Sequence, residues 1–213
     1  LNQAALNSVT YHPLGRLQRL LAVGDRELIH TIDRSDTVSN ARIRTTFGYE
    51  CRGIYVASDR YWMGFQSNFG RKAKIIEWDG SAASQNQEYE LNTGASYPLC
   101  GFIVNNIPYF IDEMGYIHKY SGGGFQVFQQ FPMVEERLGF STGIAATNMI
   151  VPHGAFVDRH LVYINVGAPT ASRRMRSGIW ILDTSTRNLY HHMGISHHIT
   201  AGTDLGYGGT PMF

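Results

Sequence analysis

Four histidines crowd the stretch YHHMGISHHIT: His191, His192, His197 and His198. Imidazole is a common metal ligand, and two His pairs flanking a glycine-containing turn are one way to bring such ligands together. The spacing opposes it. Adjacent residues in a strand point to opposite faces, so only one histidine of each pair could reach a shared ion, and the HExxH helix pattern is absent. A solvated, hydrogen-bonded turn is the expectation, with no metal and no other cofactor.

The carboxylates lead to the same place. Asp112-Glu113 and Glu135-Glu136 are the acidic pairs that acid/base work would call for, yet neighbours in a β segment split across its two faces, whereas glycosidase carboxylates face each other over a substrate. Asp79 and Asp183 each follow a strand at corresponding places and are expected to shape Asx turns. Nucleophile signatures are missing: there is no GxSxG, and neither Cys51 nor Cys100 has a histidine in a family-like local context. The glycine runs SGGGF and LGYGGT lack the Lys-Ser/Thr of a phosphate loop and read as hairpin turns. No catalytic residue is predicted, and the chain is read as not an enzyme.

One basic feature remains. The segment GAPTASRRMRSG carries Arg173, Arg174 and Arg176 without a nearby acid. Three guanidiniums on a loop suit a phosphate, an acidic partner surface or DNA backbone, and the alternative is a solvated loop. Because DRHLVYINV and SGIWILD on either side look like paired strands, the loop is expected to project from one face as a hairpin tip and to serve as a partner contact.

The elements that must hold these groups are strands. The 213 residues include 23 glycines, and 12% are aromatic while only 16% are charged, a balance that suits a turn-rich β protein; long helices would want more Lys, Glu, Ala and Leu. The net charge of +1 supplies no long-range field to draw the chain onto nucleic acid or an anionic membrane. No run approaches the roughly eighteen apolar residues of a membrane span, and the start has neither the basic nor the apolar region of a signal peptide. The absence of an initial Met and the ending GYGGTPMF suggest a piece of a longer or processed polypeptide. Helical periodicity is confined to LGRLQRLLAV, residues 14 to 23, the local exception in a chain expected to have very little helix.

A repeat organises the rest. A strand containing Val, a turn, and a strand ending in an aliphatic or aromatic residue followed by Asp or Ser recur four times: Val23, Ile29, Ile32 and Asp33; Val56, Ile75, Trp78 and Asp79; Val104, Ile117, Tyr120 and Ser121; Val157, Ile179, Leu182 and Asp183. Each unit closes on an alternating run, ARIRTTF, QEYELNT, FQVFQQF or NLYHHMGI. One small sheet cannot bury both faces and must stack on neighbours, so three- to four-stranded antiparallel units at this period are the blades of an all-β propeller. The approximate blades are 10–47, 48–98, 99–140 and 141–200, forming one propeller domain over 1–213 or an incomplete segment of a larger ring. In CRGIYVASDRYWMGFQ, Gly53 would permit close packing near the axis, Ile54 and Val56 would face a neighbouring blade, and Asp59-Arg60 would make the turn. Cys51 and Cys100 fall at nearly equivalent sites, separated by about a sheet spacing of ~10 Å, too far for a disulfide. They are expected to be reduced and buried.

Units ending in phrases such as GIWILDTSTRNLYHHMGI and YIHKYSGGGFQVF, without an enzyme motif, resemble the propeller domains of tailed-bacteriophage tail proteins, nearest the nozzle or tail-hub component of short-tailed phages. The similarity runs over most of residues 16 to 195. It implies a non-enzymatic virion structural protein, assembled in the host cytoplasm as a homo-oligomeric ring around the DNA channel, with other tail subunits and DNA in the channel as partners. The alternatives are a carbohydrate-binding or carbohydrate-active propeller, for which DRYWMGF could supply stacking aromatics, and a protein-interaction propeller.

Overall fold

The computed structural model describes residues 14–18, 20–82, 85, 87–95, 98–132, 151–167 and 178–194. Among them there is no helix. Sixteen strands form four antiparallel sheets, each a simple up-and-down meander. The first sheet holds β1 (Leu14–Leu17), β2 (Leu20–Asp25), β3 (Leu28–Ile32) and β4 (Val38–Arg44); the second holds β5 (Tyr49–Ala57), β6 (Arg60–Ser67), β7 (Lys74–Trp78) and β8 (Gln87–Glu90). In the third are β9 (Pro98–Val104), β10 (Ile107–Asp112), β11 (Tyr116–Tyr120) and β12 (Phe125–Gln130), and in the fourth β13 (Val151–Asp158), β14 (Leu161–Gly167), β15 (Gly178–Asp183) and β16 (Asn188–Gly194).

Local chemistry explains the hairpins. The β5–β6 turn places Ser58 and Asp59 at φ 52° and 56°, and the β9–β10 turn places Asn105 and Asn106 at 49° and 64°. Two successive positive φ values make a turn whose twist matches that of the strands it joins, and Asn and Asp tolerate that region best. The turn therefore lies one residue earlier than Asp59-Arg60, because Arg60 is already paired with Ala57.

The first strands of successive sheets lie against one another, β1 with β5, β5 with β9 and β9 with β13, so they form the inner edge, while among the described residues the fourth strands are bonded on one side only. Three cores fill the seams. Ile29, Ile43, Tyr61, Met63, Phe65 and Trp78 lie between the first two sheets; Trp62, Ile75, Leu91, Phe110 and Phe125 lie between the second and third. Phe102, Ile111, Val162, Ile164 and Trp180 lie between the third and fourth. Each large apolar side chain so buried contributes roughly 1.5–3 kcal/mol, which no single sheet could collect on its own.

The repeat has a structural meaning. Ile29, Ile75, Ile117 and Ile179 each occupy the second position of their sheet's third strand, and a β-bulge follows that residue in β3, β11 and β15. Two expectations are corrected. LGRLQRLLAV is a hairpin, with Leu14 opposite Val23 and Leu17 opposite Leu20. A short apolar run reads equally well at either period, and tertiary contact decides it: Gly15 lies so close to β5 that an added Cβ would come within 2.7 Å of Ile54 Cγ2. Val23 consequently sits on a second strand, whereas Val56, Val104 and Val157 sit on first strands. The cysteines are also not equivalent. Counting from the turns, Cys100 matches Gly53, and Cys51 lies beyond the bulge that follows, facing the first sheet, while Cys100 faces the fourth.

Candidate functional site

The most concentrated polar chemistry lies where β10 turns into β11. Asp112 is wholly buried and accepts four kinds of hydrogen bond: from the amides of Met114 (2.9 Å) and Tyr116 (3.0 Å) at Oδ1, and from Thr93 Oγ1 (2.6 Å) and His118 Nε2 (2.7 Å) at Oδ2. A hydroxyl, an imidazole and a carboxylate suggest a nucleophile relay, but their order is wrong. In a relay the imidazole stands between carboxylate and hydroxyl. Here both donors converge on one carboxylate oxygen, and His118 Nδ1 is buried with no hydrogen-bond partner among the described residues. The group is a lock: it fixes the turn and ties the connection between the second and third sheets, through Thr93, to β11. Asp112 stands next to Glu113 in the sequence, but its partner is the His six residues on, and a strand-ending Asp followed by a glycine turn is the signal that marks it.

The other singled-out residues have structural partners. Asp79 Oδ1 accepts from the Ser81 amide (2.8 Å) and Oγ (3.0 Å) and from the Ala82 amide (3.0 Å). Asp183 Oδ1 accepts from the Ser185 amide (2.8 Å) and Oγ (2.6 Å), bonds that hold its carboxyl down at about 2. Both are Asx turns, as expected. Both cysteines are free and buried, and desolvation pushes each thiol up to about 12. His191 packs edge-on to Trp180 (5.2 Å between centroids), and His192 is exposed. Among the described residues no group of three or more His, Cys, Asp or Glu could hold a metal. His197, His198, Glu135, Glu136, the run LGYGGT and the loop with Arg173, Arg174 and Arg176 lie outside the described residues, although the strands flanking that loop, β14 and β15, are paired as expected.

An open cleft of about 740 Å³ runs across the third sheet from the second sheet to the β15–β16 turn. Its two ends differ in charge. At the second-sheet end, Arg60 Nε meets Glu77 Oε1 at 3.0 Å, and Glu77 Oε2 also accepts from Tyr89 Oη at 2.9 Å. At the other end, Lys119 Nζ and Arg187 Cζ stand 5.5 and 5.1 Å from the centroid of Phe128, and neither cation joins an ion pair among the described residues. The Arg187 backbone is anchored by Gln129 Nε2, which donates to its carbonyl at 2.6 Å. Sugar stacking gains nothing from DRYWMGF. Tyr61 is stacked on Trp78, Trp62 is enclosed by Tyr89, Tyr120 and Phe125, and Phe65 is fully buried.

No family model and no curated protein matches the sequence. Solved structures do match in shape. The extracellular domain of the putative one-component system BT4673 from B. thetaiotaomicron is 13% identical, with a TM-score of 0.59 over 89% of this chain and 23% of that one. The computationally designed protein Ika8 is 12% identical, with a TM-score of 0.55 over 84% of this chain and 47% of that one. AztD from Citrobacter koseri is 13% identical, with a TM-score of 0.52 over 84% of this chain and 45% of that one. The chain thus spans less than half the length of each of these proteins. At such identities the likeness carries the fold alone, and with the four stacked meanders it makes this chain an all-β, blade-built β-propeller structure.

Proposed function

We propose that this chain is a non-enzymatic, ring-forming structural subunit of a bacteriophage tail, built around the DNA channel at the nozzle or hub. The observation that carries the ring is Phe156. Counted from the first hairpin turn of each sheet, Tyr55, Phe102 and Phe156 occupy the same rung, each opposite an aromatic residue of the second strand: Trp62, Tyr109 and Tyr163. Tyr55 packs edge-on to Phe110 of the third sheet, and Phe102 is buried against the fourth. Phe156 is 67% exposed and Tyr190 48%, at the two ends of a row whose inner members are half-buried Tyr163 and buried Ile181. That row is the face a further blade covers, and exposed apolar faces of this kind mark interaction surfaces.

A structural rather than catalytic role is supported by the way the polar groups are used, since Asp79, Asp112, Asp183 and His118 all hold turns. The tail assignment rests on the resemblance of the repeat units. Mass spectrometry of purified virions tests it: recovery of this chain supports it, and a chain found instead beside sugar-uptake genes and absent from virions refutes it. The ring is tested separately by sedimentation. Association that is abolished by Phe156→Asp, with the circular dichroism spectrum unchanged, is expected; a stable monomer of the unaltered chain would argue for four blades as a complete unit.

A further inference from the structure

We infer that the Lys119–Phe128–Arg187 end of the cleft is a binding site for an acidic peptide segment of a partner protein. Lys119 projects from β11 and Arg187 from the β15–β16 turn, so two different sheets each bring a cation to one aromatic ring. Both positions are held. Lys119 is the penultimate residue of a strand paired on both sides, and the Arg187 turn is fastened by the Asp183 bonds, by Thr184 to the His160 carbonyl (2.9 Å from Oγ1) and by Gln129. A preorganised pair loses little freedom when it engages a ligand, and bonds from ammonium or guanidinium to carboxylate are among the stronger ones available.

The shape of the site selects the ligand. Phe128 and Ile107 line an apolar wall beside the cations, so an anion attached to a chain with some apolar character fits better than a bare ion. Among the described residues β12 is the outermost strand of its sheet, and its outer edge offers backbone groups to an extended segment, the mode in which peptides add to sheets. Nucleic acid fits less well: the cleft also holds Glu77, and a net charge of +1 supplies no long-range field that would favour a polyanion over a short acidic segment. The assignment is independent of the tail reading, since any partner carrying suitably spaced carboxylates would satisfy it.

Fluorescence anisotropy with fluorescein-labelled octaglutamate, on the full chain, tests it. Saturable binding is expected, weakened by about tenfold or more in Lys119→Ala/Arg187→Ala and already reduced in Arg187→Ala alone, a change at an exposed turn residue that should leave the thermal melt nearly where it was. Binding retained by the double variant, equal binding of octaglutamine, or tighter binding of a labelled DNA duplex than of octaglutamate would each overturn it.

Discussion

The seam between the second and third sheets and the seam between the third and fourth share one plan but use it differently. Both are built on the same row, an aromatic pair followed by a third-strand residue: Tyr55, Trp62 and Glu77 in the second sheet, Phe102, Tyr109 and Lys119 in the third. At the earlier seam the row is closed. Trp62 is enclosed by rings, Glu77 is neutralised by Arg60, and burial raises the Tyr89 phenol, helped by its bonds to Tyr120 and Glu77. At the later seam the interior is largely aliphatic, with Val162, Ile164, Val166 and Leu182, and its rim is open, with Lys119 and Arg187 beside Phe128. Identical backbone register therefore supports either a neutralised or a cationic end of one cleft. Two matched positions separate them: Arg60 and Glu77 pair within the second sheet, whereas Ile107 and Lys119 stand at those places in the third, and the ammonium faces an arginine from the next sheet.

The largest effect should come from opening the closed seam. Trp62→Ala removes the ring that three aromatic neighbours, Tyr89, Tyr120 and Phe125, share and should cost about 3–5 kcal/mol in urea unfolding. A loss below about 1 kcal/mol would mean that the aromatic cluster is not what joins these sheets. Next is the polar lock. Asp112→Asn keeps the shape but replaces charge-assisted acceptors and turns an NH₂ group toward one set of donors, so a cost of about 1.5–3 kcal/mol is expected, with faster amide exchange at Met114 and Tyr116 as its local signature.

The later seam should yield to smaller changes. Ile164→Val, at a fully buried position, should cost about 0.5–1.5 kcal/mol, and its effect on amide protection should be felt in β9 and β14 more than in β5 and β6. The smallest effect is a pH dependence in the turn that carries Arg187. Asp183 has a folded pKa below its ordinary value, so its contribution is present in full above the ordinary carboxylate range and is lost as pH falls through about 2. The protection factors of Ser185 and Thr186, with the intrinsic pH dependence of amide exchange divided out, should fall over that interval and be flat above it; protection unchanged down to pH 2 would show that the carboxylate does not hold the turn.

Much of this was legible in the residues. The spacing of Ile29, Ile75, Ile117 and Ile179, with Asp or Ser closing each third strand, identified the repeating unit because those positions answer to local rules: alternation in a strand and side-chain capping of a turn. The Asx roles of Asp79 and Asp183 were likewise local, each made with residues two or three places away. What could not be read was whatever depended on which sheet stands next. LGRLQRLLAV satisfies either period until β5 presses on Gly15, and Asp112 with His118 is a local hairpin pair until Thr93 arrives from the connection between the second and third sheets. Lys119 and Arg187 are 68 residues apart and meet over Phe128 only because the fourth sheet stacks on the third. Sequence by itself determined the blades, since backbone hydrogen bonding and turn chemistry act over a few residues; tertiary structure alone decided the seams, since packing joins side chains whose separation along the chain carries no information about their distance in space.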